Sequence, residues 1–233
     1  MPRLARLIIP NQPHHVIQRG VARQAIFHDD QDFGFWLKSF RDALVLRPMA
    51  VHAYVLMSNH LHLLISPPDK ESLSENMKSV GLRYTKYYNK RYERTGPLWD
   101  GRFRATVIDS DRYLLECYRY IDLNPVRAHV TLTPDQYRWS SYAHHISTRI
   151  DPLVSDHSLF WALGNTPFER EQAYKALIAE GVGEAIQHEI MAATNAEWAL
   201  GSKQFAELVA EASGRRALQL KRGRPFKAVH TTN

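Results

Sequence analysis

The chain has 233 residues, of which 44% are hydrophobic and 23% are charged, and this composition is typical of a folded globular protein. Its single cysteine, Cys117, excludes an intramolecular disulfide and a cysteine-based zinc site. The net charge of +6 favours a polyanionic partner. Residues 2–10 are too short an apolar run, and too soon broken by proline, for a signal peptide. No later run is long enough to span a membrane, so we expect a cytoplasmic, nucleoid-associated protein.

The first 66 residues predict three strands and one helix. Residues 14–20 form a short strand that ends at glycine, and an aspartate at position 29 or 30 caps a helix that continues to about Leu46. Residues 51–57 are rich in β-branched and aromatic side chains and predict a second strand. After a turn at Ser58–Asn59, residues 60–66 return as the third strand. The last two strands therefore form an antiparallel hairpin.

A long helix, a strand and a short helix follow. The long helix is predicted from about Glu71 to Tyr92, and a glycine-punctuated loop over residues 96–104 leads into a strand that ends near Ile108. The short helix covers 111–123 and ends at Asn124–Pro125, because a residue before proline is displaced from the helical region. The order β-α-β-β-α-β-α predicts an α+β fold, a ferredoxin-like (RRM-like) antiparallel sheet with packed helices.

The composition changes after residue 142, and we divide the chain accordingly. Residues 1–148 are predicted to form the principal domain, and residues 149–214 a C-terminal all-α appendage of several short helices. Residues 215–233 contain six basic side chains and no acidic one, which predicts a flexible basic tail.

His60-Leu61-His62 is the first candidate site. Successive side chains of a strand point to opposite faces, so His60 and His62 lie together on one face and Leu61 on the other. Two neighbouring imidazoles can bind a divalent cation. An isolated pattern of this kind is also typical of two histidines on a polar strand surface.

The helix over residues 111–123 carries the second candidate site. Tyr118 lies on its apolar stripe, whereas Tyr120 is rotated by about 200° and shares its side with Asn124 at i+4. Asn124 is also a possible helix C-cap. If this edge faces His60 and His62, the two imidazoles and the Asn124 oxygen form a three-ligand site for Mg²⁺ or Mn²⁺. Tyr120 is then placed to attack phosphorus and form a phosphotyrosine bond.

These segments together resemble the single-tyrosine HUH transposases, where HUH denotes histidine-hydrophobic-histidine, and most of all the REP-associated tyrosine transposases. The resemblance covers about residues 10–145 and is carried by His60–His62, Trp99–Phe103 and Tyr120–Pro125. It implies a metal-dependent single-strand DNA endonuclease and strand transferase that binds palindromic (REP-type) hairpin DNA and acts in DNA transposition. The metal ligands would be His60, His62 and Asn124, with Tyr120 as the nucleophile. Relatives act as monomers or homodimers.

Basic residues provide the candidate DNA contacts. The long helix interleaves cations with tyrosines, a pattern that suits phosphates and unstacked bases but also fits a solvated helix face. Arg222-Gly223-Arg224-Pro225 resembles the core of an AT-hook, although a generic basic tail is the alternative. The predicted DNA-binding residues are Arg83, Lys86, Tyr87, Lys90, Arg102, Arg104, Arg222 and Arg224.

Two other functions remain open at this point. The same fold with exposed tyrosines and basic residues could be a non-catalytic binder of single-stranded nucleic acid. Alternatively, water is the nucleophile of a metal-dependent hydrolysis and Tyr120 is structural.

Overall fold

The computed structural model describes residues 6–218, so Arg222, Arg224 and most of the predicted basic tail lie outside the described residues. The strands are β1 His14–Arg19, β2 Ala50–Met57, β3 His60–Ser66 and β4 Arg104–Val107. The α-helices are α1 Asp30–Leu46, α2 Ser72–Arg91, α3 Ser110–Asp122, α4 Asn124–Arg127, α5 Tyr142–His145, α6 Ser158–Trp161, α7 Pro167–Glu180, α8 Glu184–Ala196 and α9 Lys203–Ser213. Within this part of the chain, no helix has the length and apolar character needed to cross a membrane.

The four strands form one antiparallel sheet in the order β2-β3-β1-β4. Two helical connections, one through α1 and one through α2, join strands that are not neighbours, and this is the ferredoxin-like topology predicted from the sequence. The predicted hairpin is present, with Met57 opposite His60 and a turn at Ser58–Asn59. The predicted α+β fold is confirmed.

One face of the sheet packs against α1 and α2. Leu61 and Leu63 of β3 lie in this core with Trp36 and Phe40 of α1, and all four side chains are fully buried. Helix α1 begins where the sequence predicts, because the Asp29 carboxylate accepts hydrogen bonds from two backbone N–H groups of the first turn.

The other face packs against α3 and the C-terminal helices. Leu64 of β3 lies in one hydrophobic cluster with Tyr118 of α3, Phe160 of α6, Tyr174 of α7 and Ile190 of α8. The helices after residue 149 therefore contribute to a core that also contains the sheet and α3.

A buried carboxylate fixes α3 to these later elements. Asp122, the last residue of α3, accepts hydrogen bonds from His145 Nδ1 at 2.6 Å, the Tyr174 hydroxyl at 2.7 Å and the Ser141 hydroxyl at 3.0 Å. Burial opposes the charged form of His145, but the Asp122 carboxylate outweighs it and raises the pKa of His145. The position of α3 on the sheet is thus held by three side chains from two later segments, α5 with its N-cap and α7.

The fold also buries neutral histidines, which makes its stability dependent on pH. His14 donates from Nδ1 to the Gln12 carbonyl at 2.7 Å and accepts the Ile9 N–H on Nε2 at 3.2 Å. Burial lowers the pKa of His14 to about 4. In the unfolded chain, His14 therefore binds a proton near its ordinary pKa of about 6.5. In the folded chain, His14 binds a proton only at a lower pH.

We expect the free energy of unfolding to fall as the pH is lowered from about 7.5 to about 5, with His14 contributing about 2 kcal/mol of that loss. In His14→Gln, which retains a donor and an acceptor, the loss should be smaller by about that amount. Urea unfolding at the two pH values measures the difference, and the exposed His188 supplies a matched control in His188→Gln. An equal pH dependence in His14→Gln and the parent protein would contradict this account.

Candidate active site

The structure places the four predicted active-site residues close together. The rings of His60 and His62 have centroids 5.0 Å apart, and the Tyr120 ring stands edge-on to His62 at 5.6 Å. The Asn124 side chain lies beside His60, close enough to affect the pKa of His60. Leu123 is the C-cap of α3 and Asn124 begins α4, so the alternative that Asn124 is itself the cap is wrong.

His60 presents its Nε2 atom to the site. Its Nδ1 lies 2.6 Å from Asn59 Oδ1, and the Asn59 amide is oriented by its own hydrogen bond to the Arg23 carbonyl. Because that oxygen can only accept, the hydrogen of the neutral His60 ring is on Nδ1. Burial, with Arg19 nearby, lowers the pKa of His60 to about 4. The Nε2 lone pair is therefore available for a ligand at neutral pH.

His62 is held by a buried chain of hydrogen bonds that the sequence analysis missed. The Thr194 hydroxyl donates to the Ile190 carbonyl at 2.7 Å, so its oxygen accepts from His15 Nδ1 at 2.8 Å. His15 Nε2 in turn accepts from His62 Nδ1 at 2.8 Å. Burial lowers the pKa of His15 to about 3 and that of His62 well below its usual range. Both rings are therefore neutral, and His62 also directs a free Nε2 lone pair away from His15.

The donor set fits a divalent cation. Two imidazole Nε2 atoms and one amide oxygen provide three ligands of the kind that Mg²⁺ and Mn²⁺ accept, with other coordination positions left for water or phosphate. Among residues 6–218, no group of three or more histidine, cysteine or acidic side chains could hold a metal ion. His60, His62 and Asn124 are thus the candidate ligands in the described part of the chain.

Burial and a nearby guanidinium have opposite effects on the pKa of the Tyr120 hydroxyl. Its side chain is only 5% exposed, and burial raises its pKa. Arg127 opposes that shift, because its guanidinium lies 4.0 Å above the Tyr120 ring and favours the phenolate. The same guanidinium donates to the Tyr120 backbone carbonyl at 2.8 Å. Arg127 lies on α4, beyond the end of the predicted helix, so the sequence analysis missed it.

The predicted DNA contacts on α2 lie on the opposite side of the sheet from the histidines. Arg83, Lys86 and Lys90 are exposed on this helix. Tyr87 is half-buried, with its ring stacked on Phe35 at 3.9 Å and its hydroxyl donating to Asp32 at 2.9 Å. These residues are therefore separated from the site by the thickness of the sheet.

Two of the interleaved tyrosines of α2 are core residues. Tyr84 is fully buried and Tyr88 is 3% exposed, and their hydroxyls donate to the backbone carbonyls of Ile26 and Ala25. Tyr84 lies on the apolar stripe of the helix, as its spacing from Met77 and Val80 predicts. The interpretation of the Tyr88 ring as a stacking surface for bases is wrong, because it also packs into the hydrophobic core beneath the helix.

Arg102 and Arg104 lie closer than the α2 residues to the candidate active site. Arg102 is exposed in the loop before β4, whereas Arg104 is half-buried and donates to the backbone carbonyl of Asn195 at 2.9 Å. Arg104 pairs in register with Ile17, two residues before Arg19, and Arg19 pairs with His60. The loop before β4 is therefore adjacent to the end of β1 that borders the site.

Residues 9–124 match the model of the family described as Transposase IS200 like. The match includes all four residues of the candidate site and ends at Asn124. This part of the chain belongs to the IS200-like transposase family. No curated protein matches this transposase.

Solved structures similar to the transposase include a REP-associated tyrosine transposase bound to a REP hairpin. That structure has a TM-score of 0.55 and 16% sequence identity, over 68% of this chain and 96% of its own. At this identity it supports the fold. A putative transposase from Deinococcus radiodurans R1 has a TM-score of 0.36 and 17% identity, over 50% of this chain and 95% of its own.

The donor and acceptor roles in the hydrogen bonds from His62 to His15 and from His15 to Thr194 predict a single tautomer of His62. ¹⁵N NMR of the histidine-labelled transposase should show His62 with its hydrogen on Nδ1. Thr194→Val keeps the shape of the side chain but removes the acceptor for His15, so we expect a mixture of His62 tautomers in this variant.

Thr85→Val is the matched control, because Thr85 also donates to the carbonyl four residues earlier but contacts no histidine. It should leave the His62 signals unchanged. A hydrogen on His62 Nε2 in the parent protein would contradict the assigned direction of the chain.

Proposed function

We propose that this transposase is a metal-dependent single-strand DNA endonuclease and strand transferase that binds hairpin DNA of palindromic, REP type. The proposal is carried by one observation, the placement of the Tyr120 ring against His62 beside Asn124 and His60. Membership of the transposase family supports DNA as the substrate. The solved relative that is bound to a REP hairpin supports a hairpin as the form in which the DNA is bound.

In the proposed reaction the Tyr120 hydroxyl oxygen attacks the phosphorus of a DNA phosphodiester. A bond forms between this oxygen and the 5′ phosphate, the bond to the 3′ oxygen breaks, and the phenolic proton is lost while the 3′ oxygen gains one. The phosphotyrosine ester conserves the energy of the phosphodiester, so a 3′ hydroxyl can later reverse the step and join a new strand.

The residues of the chain orient and activate these groups. His60, His62 and Asn124 would hold Mg²⁺ or Mn²⁺, which supplies Lewis-acid polarisation of the phosphate when bound. Arg127 stabilises the phenolate that attacks, and it is fixed by its hydrogen bond to the Tyr120 carbonyl. Burial excludes water from Tyr120, which favours the tyrosine over a water molecule as nucleophile.

Tyr120→Phe should abolish the covalent adduct and strand cleavage while leaving hairpin binding nearly unchanged, because only the nucleophilic oxygen is lost. The measurement is a denaturing gel of the protein incubated with Mn²⁺ and a labelled single-stranded oligonucleotide that carries a palindrome from the source genome.

Tyr113→Phe is the control, since Tyr113 lies on the same helix and its hydroxyl binds Glu189 instead of the site. Cleavage at the same position by Tyr120→Phe would exclude Tyr120 as nucleophile. A product with a free 5′ end and no attached protein would indicate hydrolysis by water.

The metal assignment predicts that Asn124→Ala weakens binding of Mn²⁺ at least about tenfold, because one of three ligands is removed. His60→Ala should remove measurable binding. Isothermal titration with Mn²⁺ in the absence of DNA measures both, with the exposed Asn165 giving a control in Asn165→Ala. Unchanged Mn²⁺ affinity in both site variants would place the metal elsewhere.

A further inference from the structure

A half-open cavity of about 470 Å³ lies between α2 and the loop before β4, on the sheet face opposite the histidines. Its size is in the range of pockets that bind small organic ligands. The walls are mostly apolar and include the Trp99 ring, Met77 and Phe103, and Leu82 at its edge is 64% exposed. An apolar recess with an aromatic wall suits a flat ring system.

One buried polar group faces this cavity. Gln18 of β1 lines it and is only 8% exposed, yet its amide makes no hydrogen bond to any residue in the range 6–218. A ligand that bonds this mostly buried amide gains a hydrogen bond at little further desolvation cost. A side-chain amide presents a donor and an acceptor together, which matches the edge of a nucleobase.

The cavity wall contains cations and no carboxylate. Lys78 of α2 and Arg102 are exposed at its mouth, and the Arg6 guanidinium lies over the Phe103 ring at 3.8 Å. Positive charge around an apolar recess suits a ligand that has an uncharged planar ring at one end and an anionic backbone.

The cavity borders a small cleft on the side of the candidate active site. Gln18 and Arg102 also line a neighbouring cleft, which reaches Arg19, Arg104 and Asn195 and has one carboxylate, Asp100, in its wall. Arg19 pairs with His60 across β1 and β3. Beyond this cleft the loop returns to β1, where Asp100 N–H donates to the Arg19 carbonyl at 2.8 Å and Trp99 pairs with Gly20.

We propose that this cavity binds one unpaired DNA base, stacked near Trp99 and hydrogen-bonded by Gln18, with its flanking phosphates at Lys78 and Arg102. The inference rests on the proposed function, because it takes single-stranded DNA as the substrate. In this proposal, the sheet face opposite the histidines holds part of the single-stranded DNA.

Gly81 offers a way to fill the cavity without removing any group that binds. A Cβ at this position would lie 3.5 Å from Trp99 Nε1 and 3.8 Å from Gln18 Nε2, so it points into the cavity at ordinary contact distance. Gly81→Leu should therefore occupy the space of the base. Gly34→Leu is the matched control, because a Cβ at Gly34 of α1 meets nothing within 4 Å.

The test is an abasic scan of DNA binding by the full chain. The probe is a hairpin oligonucleotide from a palindrome of the source genome with unpaired flanks, studied with EDTA so that no strand is cut. For the parent protein and Gly34→Leu, an abasic site at one unpaired position should weaken Kd about tenfold. For Gly81→Leu, binding of the intact probe should be weakened by that factor and the abasic site should have no further effect.

A second variant keeps the test independent of how Gly81→Leu folds. Gln18→Met removes the amide but keeps the length of the side chain, so its melting temperature should be no lower than that of the parent protein. The affinity of Gln18→Met for the intact probe should still fall to the affinity that the parent protein has for the abasic probe. A melting temperature that drops together with DNA affinity would show a merely structural role for Gln18 and overturn the proposal.

The outcomes separate this inference from the proposed function. If the Tyr120 adduct forms but no unpaired position is sensitive to base removal, or if Gly81→Leu shows the same sensitive position as the parent, the cavity proposal is wrong and the catalytic one stands. If one position is sensitive and the sensitivity is lost in Gly81→Leu, the cavity proposal holds even where no adduct forms. Absence of any DNA binding would overturn both.

Discussion

The buried hydrogen-bond chain from Thr194 through His15 to His62 is the interaction on which the organisation of the site depends. Thr194 and His15 each have one donor and one acceptor engaged, His62 engages its Nδ1 donor, and none of the three is exposed to water that could replace a lost partner. A buried polar chain of this kind is stable only when every member is present. It therefore couples the position of the C-terminal helix α8 to the orientation of a histidine in the sheet.

The two faces of the sheet have different contents because the strand period is two. In β3 the leucines at 61 and 63 complete the apolar core beneath α1 and α2, while the histidines at 60 and 62 face α3 and α8. The short strand β4 ends its pairing with β1 at Ile17, and the preceding loop rejoins β1 where Trp99 pairs with Gly20. The arginines and the cavity of this loop are located at that end of β1.

The electrostatics of the site favour an anionic substrate. The two imidazoles are held neutral by burial, Asn124 is uncharged, and Arg19 and Arg127 add positive charge nearby. A cation held by these neutral ligands would keep its full charge for a bound phosphate, in contrast to a site of carboxylates. The same positive surroundings favour the phenolate of Tyr120.

The sequence by itself determined the elements of the sheet, the face shared by His60 and His62, and the common side of Tyr120 and Asn124, because strand and helix periods are local properties. Tertiary packing decides that these two pairs meet, that His15 and Thr194 support His62, and that Tyr88 fills the core. Those contacts join segments as many as 179 residues apart, and they depend on strand register and helix packing, which no local pattern encodes.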